Sequence, residues 1–160
     1  MAEPDFEELL ESFNKYGVRY CIVGAYAVAF HARPRYTKDM DILVEPSLEN
    51  GRKIVEALTA FGVGSLRLQP EDFAVPGKVI QIGYEPLRVD LLTSIDRCTF
   101  AQAWKHRARG TYGNQPAVFI GREELIRNKA STGRRQDEAD VETLRSKQPL
   151  SRTKTKRRSR

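Results

Sequence analysis

The sequence predicts a mixed α/β domain of the α+β class, a small mixed β-sheet with flanking helices. Three observations carry that expectation. Apolar residues recur at helical spacing in the first sixteen residues and again after Ser47. Short β-rich runs lie beside those segments, at residues 18–23 and 40–45. Two more such runs, residues 79–83 and 87–92, are separated by only Tyr84-Glu85-Pro86, the spacing of a hairpin. Helices mixed with a hairpin and isolated strands pack as a sheet with helices laid on it.

Phe6, Leu9, Leu10, Phe13 and Tyr16 mark one face of a helix over residues 4–16, and Gly17 stops it. The strand 18–23 follows, and Gly24 opens a short alanine-rich helix, 25–31, that ends before Pro34 because a residue preceding proline avoids helical geometry. After the strand 40–45, Ser47 caps a helix whose face is Ile54, Val55, Leu58 and Phe61, with Gly62 and Gly64 beyond its end. Residues 66–78 carry Pro70, Pro76 and Gly77 and read as a loop. Past the hairpin, Ser94 or Thr99 begins a helix through Trp104 and Arg107. A short strand covers 117–120, a helix starts after Gly121, Gly133 breaks it, and a last helix covers 137–144.

Residues 39–41 hold the strongest chemical signal. Aspartate is depleted in strands, yet Asp39 and Asp41 stand at the mouth of an apolar run, and alternation turns both to one face. Strand rise separates them by about 6.5 to 7 Å at the backbone, too near for both to stay ionised at low dielectric without a cation. Hard oxygen donors of this kind suit Mg2+ or Mn2+.

Composition sets the frame. At 160 residues and 40% hydrophobic content the chain fits one domain with one core. No apolar run is long enough to span a membrane and the first residues lack a signal peptide's basic and apolar regions, so the expectation is a cytoplasmic protein with no membrane partner. Cys21 and Cys98 give neither a disulfide framework nor a zinc site. The net charge of +6 is local: Arg145 to Arg160 carry eight of the 27 Lys and Arg and no acid, leaving 19 against 21 acids before them. Residues 1–145 are therefore read as the folded domain and 146–160 as a disordered basic tail. The tail has the chemistry for salt-dependent phosphate contacts with nucleic acid; a solubilising extension is the alternative.

Gly24-Ala25 stands at a strand-to-helix turn, Arg35-x-Thr37-x-Asp39-x-Asp41 leads the next strand, and a lone Asp90 sits within Arg88-Val89-Asp90-Leu91-Leu92. With these residues the sequence resembles the nucleotidyltransferase superfamily related to DNA polymerase β. More closely it is similar to the small AbiEii-type group of bacterial and archaeal proteins, strongly over residues 18–45 and weakly over 87–144. The resemblance implies a nucleotidyltransferase-like fold and a metal site of Asp39, Asp41 and Asp90, in which Asp90 completes the ligand set or acts as base. It implies that Gly24 and the following helix hold the phosphates of a nucleoside triphosphate substrate. The acceptor is open: a protein hydroxyl, an RNA end or a small molecule. Some relatives act as toxins or antitoxins.

Other candidates are Arg35 and Thr37 for phosphate or ligand orientation, and Lys129, which by resemblance reaches phosphate ahead of Asp137 and Asp140. Those two acids also have an ordinary explanation at a helix N-terminus. His31 reads as structural and Lys38 as solvent-facing. One departure stands out. The family has a second Gly or Ser after the first glycine, where this chain has Ala25, which cannot take positive φ cheaply and adds a methyl group near the phosphates. The competing expectation is thus a non-catalytic nucleotide- or nucleic-acid-binding module that keeps the fold.

Overall fold

The computed structural model describes residues 2–34, 36–84 and 87–146. Arg35, the Glu85-Pro86 part of the hairpin turn and the tail beyond Ser146 lie outside the described residues. Helices are α1 (Pro4–Lys15), α2 (Gly24–His31), α3 (Leu48–Phe61), α4 (Phe100–Lys105), α5 (Arg122–Ala130) and α6 (Arg135–Ser146). Strands are β1 (Tyr20–Val23), β2 (Asp39–Val44), β3 (Val79–Tyr84), β4 (Leu87–Leu92), β5 (Ala108–Tyr112) and β6 (Gln115–Phe119). They form one mixed sheet in the order β3-β4-β2-β1-β6-β5. The α+β expectation of a small mixed sheet with flanking helices is the architecture observed.

Most element ends follow from local chemistry. The Ser47 hydroxyl accepts from Asn50 N at the start of α3, and Gly62 ends that helix at φ +112. Thr99 and Gln102 close a capping box that starts α4, settling the choice between Ser94 and Thr99. The segment read as a loop, residues 66–78, contains the 3-10 turn Pro70–Phe73, which buries Phe73, and another such turn, Gly64–Leu66, leads into it.

One element goes beyond the sequence reading. β5 pairs antiparallel with β6 through the turn Gly113-Asn114, although Ala108-Arg-Gly-Thr-Tyr112 is polar and has a glycine at its centre. The glycine is there for space. A Cβ at Gly110 would stand 2.4 Å from the Phe30 ring, and that ring stacks on Phe119 with centroids 4.1 Å apart.

Strand alternation divides the sheet. Tyr20 and Ile22 of β1 lie beside Val44 and Ile42 of β2, and this face meets α1, where Phe13 packs on Tyr20 and Asn14 accepts from the Tyr20 hydroxyl. α1 is tied to α3 by the Ser12 hydroxyl donating to Ala57 O. Cys21, Val23, Asp39, Asp41 and Leu43 occupy the opposite face. The apolar members on both faces are buried, and the aspartates at the end of β2 are only partly covered.

Candidate active site

β2 and β4 run parallel, and their register decides the site. Asp39 lies beside Arg88 and Asp41 beside Asp90. Because neighbours in register share a face, the three carboxylates and one guanidinium form a square of side chains on adjacent strands, with strands roughly 4.8 Å apart. On its other side Asp41 lies opposite Val23, the last residue of β1.

Gly24 follows Val23 and turns the chain into α2 at φ +69. Two constraints meet at this residue. Positive φ is costly for any residue with a Cβ, and a Cβ here would come within 2.7 Å of Asp41 Oδ2. Gly24 thus lets the N-terminus of α2, with its unpaired N–H groups, sit directly against the carboxylate cluster. Ala25 is one residue inside α2 and does not have positive φ. The conformational objection to alanine therefore falls away, since the left-handed residue of the turn is Gly24.

Arg88 is the residue to which the sequence reading gave no role. Its Nη2 lies 3.1 Å from Asp39 Oδ2 and donates to Asp90 Oδ2 at 3.2 Å, and its Nε lies 3.2 Å from Asp90 Oδ1. The signal was available: two positions before Asp90 on a strand is the same face. Burial, followed by the charges of Asp90 and Asp39, pushes the Asp41 carboxyl up to about 6 against the opposing charges of Lys129 and Arg88.

The donor chemistry suits a divalent cation. Asp39 Oδ1 is buried and accepts no hydrogen bond from the described residues, a costly condition for a carboxylate oxygen unless a cation faces it, while Asp90 Oδ1, also without a hydrogen bond, faces the Arg88 guanidinium at 3.2 Å. As the side chains stand, no three Asp, Glu, His or Cys residues among those described form a group that could hold a metal ion. The Arg88 guanidinium instead bridges two of the three carboxylates.

The remaining candidates fall in several places. Thr37 precedes β2; its hydroxyl donates to Asp39 O at 3.3 Å, while its own carbonyl accepts from the Tyr26 hydroxyl at 3.4 Å. Lys129 on α5 is buried, with Nζ 2.8 Å from Asp137 Oδ1 and 2.9 Å from Asp140 Oδ2 on α6. Asp137 and Asp140 are thus more than helix-terminal acids: they are the partners of a buried lysine whose charge still reaches Asp41. His31 is buried and its Nε2 lies 2.7 Å from Ile120 O, a structural contact as expected. A cavity of about 600 Å3 opens beside Thr37, walled by Tyr26, Phe30, Tyr36, Tyr112 and Phe119, with Glu3 the one charged residue among the described residues of its lining.

No protein-family model matches the chain, and no curated protein matches it in sequence. Solved structures do. The antibiotic-resistance factor ANT(2'')-Ia superposes with a TM-score of 0.58 at 12% identity, over 89% of this chain and 82% of that one. The chain has a nucleotidyltransferase-like fold. The lincosamide antibiotic adenylyltransferase LnuA, solved with lincomycin bound, gives a TM-score of 0.55 at 15% identity over 91% and 98% of the two chains. A nucleotidyltransferase-like protein from Paracoccidioides brasiliensis gives 0.53 at 15% over 91% and 76%. At these identities the likeness is one of fold.

Proposed function

We propose that this protein is a metal-dependent nucleotidyltransferase, which moves a nucleoside monophosphate from an NTP to a hydroxyl acceptor and releases pyrophosphate. The observation that carries the reading is the in-register placement of Asp39, Asp41 and Asp90 on β2 and β4, with the Gly24 turn and α2 N-terminus packed on Asp41. Asp39 and Asp41 would hold Mg2+ or Mn2+, with Asp90 as third ligand or base. When bound, such cations neutralise charge on the attacking and leaving oxygens. Gly24 and the free N–H groups of α2, Ala25 among them, face the phosphates, aided by Arg35, Thr37 and the charge of Lys129. In the step itself the acceptor oxygen bonds to the α-phosphorus, the bond from that phosphorus to the pyrophosphate oxygen breaks, and the hydroxyl proton passes to Asp90.

A small hydroxylated molecule is the favoured acceptor, ahead of an RNA end or a protein. The cavity beside Thr37 has the volume of a small-molecule site, and LnuA was solved with such a molecule bound. The kinship with the AbiEii-type group, and the toxin or antitoxin role of some of its members, rests on the motif over residues 18–45. A cytoplasmic location is part of the same reading; among the described residues no helix is long and apolar enough to cross a membrane.

One observation favours a second reading. Arg88 already neutralises two of the carboxylates, as expected of a module that binds nucleotide without turning it over. Pyrophosphate release decides between them. The enzyme reading expects Mg2+-dependent release from at least one NTP when hydroxyl compounds are supplied, abolished in Asp39→Asn and Asp41→Asn. NTP binding by calorimetry with no release from any of the four NTPs would favour the module.

A further inference from the structure

We infer that Arg88 couples the metal to the nucleotide: its guanidinium holds the place of a cation between Asp39 and Asp90 and passes to the triphosphate when a divalent cation takes those carboxylates. The inference rests on the metal reading of the site. Arg88 Nη2 sits within 3.2 Å of oxygens from both acids, and Nε lies 3.2 Å from the second oxygen of Asp90. Asp39 Oδ2 and both oxygens of Asp90 therefore face one guanidinium. A divalent cation on the same oxygens would stand against a like charge at near-contact distance, where repulsion is strong even at the effective dielectric of a protein surface. The two cations compete for one seat.

Position and chemistry say where the guanidinium goes. Arg88 is on β4, one strand over from Asp41, and Asp41 is the residue against which the Gly24 turn packs. A triphosphate held at that turn thus arrives within an arginine side chain's length of Arg88. Its oxygens match the planar fork of the guanidinium as well as a carboxylate does. The Arg88 side chain is 29% exposed, so it has an open side through which to move. Metal without nucleotide would have to displace Arg88 into water, whereas metal with nucleotide displaces it onto phosphate. The two ligands should bind cooperatively, and Arg88 should be the reason.

The test compares the parent with Arg88→Gln and Arg88→Lys in two titrations: Mn2+ into nucleotide-free protein, followed by electron paramagnetic resonance, and a nonhydrolysable NTP analogue into protein saturated with Mn2+, followed by calorimetry. Removal of the competitor should tighten Mn2+ binding by Arg88→Gln about tenfold while the analogue binds about tenfold more weakly. Arg88→Lys, a point charge without the fork, should fall between the two and serves as the test if the glutamine variant does not fold. A residue that only braces the strands would move both affinities in the same direction, and that result, or an unchanged Mn2+ affinity, overturns the inference. Absence of Mn2+ binding by every form, with and without the analogue, would overturn the metal reading itself and this inference with it.

Discussion

Asp41 is where the electrostatics of the site are least relieved. Its folded pKa of about 6 lies above the 3.8 of an ordinary carboxyl, chiefly through burial and then through Asp90 and Asp39. The native state therefore keeps a proton that the unfolded chain has released between those pH values, and stability falls as pH rises through that window. In the metal-free protein, Asp41→Asn should match the parent near pH 4 and exceed it at pH 7 by about 1 to 3 kcal/mol, read from urea unfolding at both pH values. A difference that does not change with pH would show that Asp41 is not under strain. The shared face of Asp39 and Asp41 was legible in the sequence because alternation is a property of any strand. What the sequence did not show was the register of β4, which alone brings Asp90 beside Asp41 and Arg88 beside Asp39.

At the level of elements, α5 and α6 are locked by charge in the interior. Lys129 meets Asp137 and Asp140 with all three side chains less than a tenth exposed. Thr132 donates to Asp137 Oδ2, and Arg134 Nε lies 3.1 Å from the same oxygen. Burial alone would raise the Asp137 carboxyl, but the hydrogen bonds from Lys129 and Thr132 and the charges of Lys129 and Arg134 hold it below its ordinary value. Lys129→Met removes the buried cation that both carboxylates share, leaving Arg134 on Asp137, and should cost about 3 to 5 kcal/mol in urea unfolding. Retention of parental stability would mean that the lysine is free to serve the nucleotide instead. Residue spacing cannot separate these roles, since nothing in the spacing shows that α6 folds back on Lys129. The same blindness hid β5: Gly110 weakens a strand by propensity, and only the Phe30 ring lying over it explains why a glycine belongs there.

Across the whole molecule, the helix-strand order apart from β5, the β3-β4 hairpin and the mixed sheet followed from periodicity and turn chemistry, because these signals are local. The sheet order β3-β4-β2-β1-β6-β5 did not, because it depends on which strands meet across the core. Charge is likewise unevenly placed: residues 145–160 carry eight positive charges and no negative one, which outweighs the slight acidic excess of the residues before them. If those residues contact nucleic acid, removal of 146–160 should weaken binding to single-stranded RNA and flatten its dependence on salt, with the melting temperature almost unchanged. Unaltered affinity and salt slope would take the tail out of the function. The central claim, that Asp39, Asp41 and Asp90 form one metal site for nucleotidyl transfer, is tested most directly by anomalous diffraction from a crystal grown with manganese and a nonhydrolysable NTP. The account predicts a manganese peak at coordination distance, about 2.1 Å, from oxygens of Asp39 and Asp41, with the triphosphate running to the Gly24 turn. A triphosphate bound with no anomalous peak near either aspartate, and Arg88 still bridging Asp39 and Asp90, would contradict it.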